Sequence, residues 1–137
     1  RAVARERPDL VHQVITLGTP VIGGPKYTAF AESYRKRGMD IDAIAAEVEW
    51  RNQVALCTPV VAIYSRADCL VAWQACIDRG AANVEHVEVQ TSHIGFGFSP
   101  DVYKIIARKL FSEDETVDRP AIRHHRVRLP RPNRLLR

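Results

Sequence analysis

The strongest constraint on the fold of this chain is a pair of short, β-branched apolar runs, each closed by turn-forming residues. His12-Gln13-Val14-Ile15-Thr16-Leu17 runs into Gly18-Thr19-Pro20, and Val60-Val61-Ala62-Ile63-Tyr64, introduced by Thr58-Pro59, runs into Ser65-Arg66-Ala67-Asp68. A strand with one wet face alternates apolar and polar residues. These runs are nearly continuous, which is the pattern of strands covered on both faces in a parallel sheet. Pro59 fits the first position of such a strand, where a missing N–H is tolerated. Val84 to Val89 makes a third strand, with Val87 and Val89 alternating against Glu88 and Gln90.

Helical periodicity fills the intervals. Residues 1 to 9 read as the end of a helix that begins before the chain does, closed by Pro8, since the residue before a proline is pushed out of helical geometry. Tyr27, Phe30, Ala31 and Tyr34 recur at i, i+3, i+4 and i+7. Ile41, Ile44, Ala45 and Val48 repeat that spacing behind Asp40, a good N-cap, and Gly38 separates the two helices. A short helix is expected over 71–79, stopped by Gly80. A last helix has Ser99 as cap, Pro100 at its first position, and Val102, Ile105, Ile106 and Leu110 along its apolar face. Strands alternating with helices require crossover connections, hence an α/β fold with a mostly parallel sheet and flanking helices. Three strands do not complete such a sheet, which is expected to continue before Arg1.

Composition enters where it excludes functions. No run of roughly 18 apolar residues exists, so no transmembrane segment is expected. The net charge is +4, but Arg119 to Arg137 holds seven Arg and no acid, leaving 13 basic and 16 acidic side chains in residues 1–118. That basic strip carries Pro120, Pro130 and Pro132 and no aromatic residue. It reads as a disordered, solvated tail, not as a folded face for a phosphate backbone, and no nucleic-acid partner is expected. Cys57, Cys69 and Cys76 form no CxxC pair, so neither a disulfide framework nor a metal site is indicated, and no cofactor is expected.

In open α/β sheets, ligands gather outside the carboxyl ends of the strands. Three loops stand there: Gly18-Thr19-Pro20, the turn carrying Asp68, and the loop carrying His93. A carboxylate after one strand and a histidine after the next is the order an imidazole base needs, because the carboxylate holds Nδ1–H and stabilises the imidazolium. Asp68 also has a plainer reading, as a turn former or as a cap for the backbone beginning near Leu70.

The longer words resemble a known family. Arg7-Pro8-Asp9-Leu10-Val11 with Val14-Ile15-Thr16-Leu17-Gly18-Thr19-Pro20 is similar to the segment after the nucleophile elbow in α/β-hydrolase-fold lipases and esterases. Pro59 to Asp68 resembles the strand that delivers the acid in that family, and Asn83-Val84-Glu85 with Ser92-His93-Ile94-Gly95 resembles the strand and loop that deliver the histidine. The resemblance spans residues 1 to 111 and implies a serine carboxylic ester hydrolase, with Asp68 and His93 as two members of its triad in the order Ser…Asp…His. Its substrate would be a small-molecule acyl ester or lipid.

The resemblance also implies a domain over 1–118, with residues 21–58 as a cap-like helical insertion and 119–137 as a tail outside it. Tyr27, Phe30 and Trp73 become candidate substrate-binding residues, with Tyr34, Ile41, Ile44 and Trp50 as further wall positions unless that stripe packs on its own domain. Two departures stand out. No G-x-S-x-G occurs, so the nucleophile and oxyanion hole are expected upstream of residue 1, and this chain alone is expected to be inactive. Cys69 stands where relatives commonly have Gly, which restricts the turn after the acid. Ser65 and Ser92 are the hydroxyls nearest the pair in sequence, and neither lies in a strand-to-helix elbow. The alternatives are a non-catalytic, hydrolase-like interaction module and, from a different class, nucleic-acid binding through the tail.

Overall fold

The structure is a computed structural model that describes residues 1–111. The tail expected over 119–137 lies outside the described residues. Strands β1 (Val14–Leu17), β2 (Val60–Tyr64) and β3 (Val84–Glu88) form a parallel sheet in the order β1-β2-β3. Val14 and Val84 flank Val60, and Leu17 and Val87 flank Ile63. The central strand β2 is buried from Val60 to Ile63, as its unbroken apolar run requires. Strand β1, at one edge, is half-buried along its length and is not covered on both faces as its composition suggested.

Alternation along the strands sends side chains to two apolar layers. Val61 and Ile63 pack with Val89, Phe96 and Val102, and Ile15, Leu17, Val87, Ile105 and Ile106 close around them. Helix α4 (Pro100–Phe111) covers this face. Val102 has no exposed surface, whereas Leu110 is 58% exposed, so the apolar stripe expected on α4 ends before Leu110. On the other face Val60 meets Leu56 and Ala4 of α1 (Ala2–Glu6), with Val11, Val14 and Val84 packed alongside. Helical elements on both faces of a parallel sheet make this a mixed α/β arrangement.

Residues 21–58, between β1 and β2, carry α2 (Ala31–Lys36) and α3 (Ile41–Asn52). Asp40 caps α3 as expected, its carboxylate accepting from Ala43 N at 2.9 Å. Gly38 separates the helices with φ +80°, a conformation that costs a side-chain-bearing residue about 1 kcal/mol or more. Ile41 and Ala45 are buried, and Ile44 and Val48 lie against the backbone of Gly24 in a 3-10 turn, Gly24–Tyr27. The stripe on α3 therefore packs within its own unit.

Two helical expectations fail for one reason. The periodic run from Tyr27 is interrupted: Thr28 is extended, and helix α2 starts only at Ala31. The helix expected over 71–79 is a single 3-10 turn, Trp73–Cys76, behind an extended Ala72. Thr28 and Val71 form an antiparallel bridge, flanked by Ala29 N to Leu70 O at 2.8 Å and Ala72 N to Tyr27 O at 3.0 Å. Long-range backbone pairing has overridden helical propensity in both segments. Among the described residues, no helix is long and apolar enough to cross a membrane.

The sheet should dominate stability. Ile63→Ala is expected to lower the unfolding free energy by about 2–5 kcal/mol, because it leaves a cavity between β2 and α4. Lys109→Ala, which removes the part-exposed pair with Glu85 (2.6 Å), should cost less than about 1 kcal/mol. Urea unfolding of the two variants checks the ranking.

Candidate active site

Parallel strands bring their carboxyl ends to one edge of the sheet, and the loops after β1, β2 and β3 converge there. After β2 the chain turns tightly: Asp68 N donates to Ser65 O at 3.3 Å, and Ala67 N donates to Ser65 Oγ at 3.1 Å. This folds the Asp68 side chain inward until only 1% of it is exposed. A carboxylate so buried needs its lone pairs occupied. Oδ1 accepts from Leu70 N at 2.8 Å and Val71 N at 2.9 Å, and Oδ2 lies 2.7 Å from His93 Nδ1.

His93 stands after β3, directly before a 3-10 turn, Ile94–Gly97. Ser92 Oγ accepts from Gly95 N at 3.1 Å and steadies that turn. Three residues after His93, the Phe96 ring enters the core beside Val61, Ile63, Val89 and Val102. It also stands perpendicular to the imidazole, with ring centroids 6.1 Å apart. The third loop supplies space. Gly18 has φ +52°, and a Cβ there would lie 2.7 Å from the Phe96 ring, 2.8 Å from Asp68 Oδ2 and 3.1 Å from His93 Nδ1. The acid–imidazole pair is therefore seated directly on the backbone of Gly18.

The contact between Nδ1 and Oδ2 fixes the ring tautomer. An ionised carboxylate only accepts, so the Nδ1 facing it carries the proton, and the lone pair of the neutral ring resides on Nε2. The His93 side chain is about one-third exposed. The imidazole is thus held at Nδ1 by a buried carboxylate while its side chain stays partly open to solvent. Ser65 Oγ and Ser92 Oγ are both occupied as acceptors of backbone N–H groups, and neither is hydrogen-bonded to His93.

The residues expected to bind substrate have other immediate neighbours. The Tyr27 ring folds back over Gly23, and Phe30 meets Tyr34 edge-on at 6.5 Å while half exposed. Trp73 stacks on Tyr64 with centroids 6.0 Å apart, and the Arg66 guanidinium lies 4.8 Å above its ring. Glu88 completes that cluster, accepting from Arg66 Nε and the Tyr64 hydroxyl, both at 3.2 Å. Burial, then the Glu88 charge, raises the Tyr64 phenol above its ordinary pKa.

Three residues shape the site beyond the two titratable residues expected from sequence. Phe96 had a signal in Gly95-Phe96-Gly97, an aromatic residue set between two glycines after a strand. Gly18 had a signal in its place at the end of an apolar strand. Ser65 reads from sequence as a turn former and as a hydroxyl near the pair, not as an acceptor shared by two loops. Among the described residues, no group of three or more His, Cys, Asp or Glu side chains is placed to hold a metal ion. No family model, curated protein or solved structure matches the chain.

Gly18→Ala is expected to cost more than about 1–2 kcal/mol from the left-handed backbone alone, and to separate Asp68 from His93. Urea unfolding and the histidine ring 15N shifts check the two effects. A second outcome concerns Cys76, which is buried and whose thiol is pushed up to about 11, chiefly by burial and secondarily by the nearby Asp68 charge. At pH 8 an alkylating reagent should modify the exposed Cys57 and Cys69 and spare Cys76. Because the folded value exceeds the unfolded one, the stability Cys76 contributes is present below about pH 9 and is lost as pH rises toward about 11. Cys76→Ala should flatten that alkaline decline.

Proposed function

We propose that Asp68 and His93 are the acid and the base of a serine carboxylic ester hydrolase, and that the described residues are the carboxyl-terminal part of its α/β-hydrolase domain. One observation carries the reading. A buried carboxylate with one oxygen locked by backbone N–H groups gives its other oxygen to His93 Nδ1 at 2.7 Å, at the carboxyl ends of adjacent parallel strands. The resemblance of residues 1 to 111 to the lipase and esterase pattern supplies the reaction class.

In this reading the nucleophilic serine and the oxyanion hole belong to chain preceding residue 1. His93 Nε2 takes the serine proton as the serine oxygen bonds to the ester carbonyl carbon. The imidazolium, stabilised by Asp68, then returns the proton to the leaving alcohol as the ester C–O bond breaks. Water, activated by the same nitrogen, cleaves the acyl-serine and releases the acid. The substrate class is a small-molecule acyl ester or lipid, with Tyr27, Phe30 and Trp73 as candidate wall residues.

The test uses the protein extended by the coding sequence before residue 1, assayed with nitrophenyl esters of graded acyl length and with a serine-reactive phosphonate. Expected are phosphonylation of one upstream serine and hydrolysis that falls by about 10⁴-fold in Asp68→Asn, which presents the wrong hydrogen-bonding group to Nδ1. His93→Ala should lose at least as much. Residues 1–137 alone should be inert. Normal turnover in either variant removes the assignment, and esterase activity of 1–137 that depends on His93 would move the nucleophile inside this chain.

A further inference from the structure

We propose that Ser65 is a positioning residue whose hydroxyl oxygen sets the separation between the Asp68 turn and the His93 loop. Its side chain is among the most deeply buried of the chain, at 1% exposure, in a core otherwise made almost entirely of apolar residues. A hydroxyl is retained in such a place at a cost unless it is fully used. Here Oγ accepts from Ala67 N at 3.1 Å and from Thr91 N at 3.2 Å. The first donor lies in the acid turn. The second lies in the histidine loop, 26 residues later.

The sheet register explains why a side chain is needed. Tyr64 pairs with Glu88, and the last backbone rung between β2 and β3 is Val89 N to Tyr64 O at 2.9 Å. In a parallel ladder the next donor is Thr91 N and its acceptor would be the carbonyl of residue 66. The chain has already turned by then, because the tight turn at Ser65 is what aims Asp68 toward His93. Ser65 Oγ takes the place of the missing carbonyl. A single oxygen thus extends the ladder by one rung while holding the turn that breaks it, and the two loops that must meet at 2.7 Å are pinned to one atom. Alanine leaves two donors without an acceptor; cysteine keeps the approximate shape but offers a weak acceptor; threonine keeps the oxygen.

The geometric role stands on the hydrogen bonds alone, and its consequence for turnover rests on the hydrolase reading, so the two are tested separately. On residues 1–137, NMR of the 15N-labelled histidine ring reports the Nδ1 proton, and amide exchange reports Thr91. In the unsubstituted chain both protons should be protected; an unprotected Thr91 amide overturns the proposal without any variant. Ser65→Cys should accelerate exchange of the His93 Nδ1 proton about five- to tenfold, the loss of roughly 1–1.4 kcal/mol of hydrogen bonding, while Ser65→Thr should stay near the original rate. Unchanged exchange in a folded Ser65→Cys chain overturns the proposal, as does equal acceleration in Ser65→Thr. Ser65→Ala should behave as Ser65→Cys, and the cysteine variant decides if alanine does not fold. In the extended protein, Ser65→Cys should lower kcat by up to about 100-fold with KM unchanged. If exchange responds and hydrolysis is absent from the unsubstituted protein, the hydrolase reading fails and the positioning role stands.

Discussion

The Asp68 carboxyl group is taken almost wholly out of water, and the surrounding loops are arranged around that fact. Removing a carboxylate from solvent costs several kcal/mol unless hydrogen bonds replace the lost hydration, each bond to a charged group returning roughly 1.5–3 kcal/mol. Three donors converge on it: two backbone N–H groups on Oδ1 and the imidazole on Oδ2. Backbone donors cannot rotate away, so the plane of the carboxylate is fixed before the imidazole arrives. Phe96 then restrains the ring from the side, and since Phe96 is itself part of the core beneath α4, the orientation of His93 is tied to the packing of the whole domain. Gly18 lets the pair sit against its backbone, where a Cβ would meet Phe96, Asp68 and His93.

The same carboxylate is joined to the inserted helices. Leu70 and Val71, whose N–H groups hold Oδ1, are paired through Leu70 O and the Val71 bridge with Ala29 and Thr28. Further along, Val21 N and Ile22 N both donate to Ala75 O, and Asn52 at the end of α3 donates its amide to Val21 O at 2.5 Å. Residues 21–29 therefore lie as a strap along the segment that follows the acid. A displacement of α2 or α3 would reach Oδ1 through two residues of backbone. What keeps residues 71–72 out of a helix is the bridge from Val71 to Thr28 and the extended Ala72, since Oδ1 accepting from the N–H groups two and three residues on is by itself compatible with a helix start.

What was legible in the sequence follows from which forces are local. Strand β2 could be read because burial on both faces leaves no polar residue between Val60 and Ile63. Asp68 and His93 could be read because each is a titratable residue placed where an apolar run has ended. The failed expectations depend on partners distant in the chain. Residues 71–79 have a helix-compatible composition, and nothing within them announces pairing with Thr28. The stripe on α4 continues in sequence to Leu110 but outlasts the apolar surface beneath it. Ser65 shows the limit most clearly. A serine at a strand end reads as a turn former, and only the register of β2 against β3 reveals that its oxygen serves both strands.

The two sequence readings of Asp68, as a cap and as the partner of an imidazole, call on different oxygens of one group. Capping uses Oδ1 alone, and asparagine would supply an equivalent oxygen without burying a charge. The charge is needed only by the other side of the group. Oδ2 faces an imidazole nitrogen, and an amide NH₂ in its place would confront Nδ1–H with a second donor and force the ring into the opposite tautomer. A carboxylate that is 1% exposed is therefore costlier to bury than its capping duty requires, and its second oxygen is taken up by His93. Local rules of burial are broken most readily where a site, and not the fold, sets the requirement. The Asp68–His93 pair is the place in the described residues where a buried charge answers to a ring that is itself partly open to solvent.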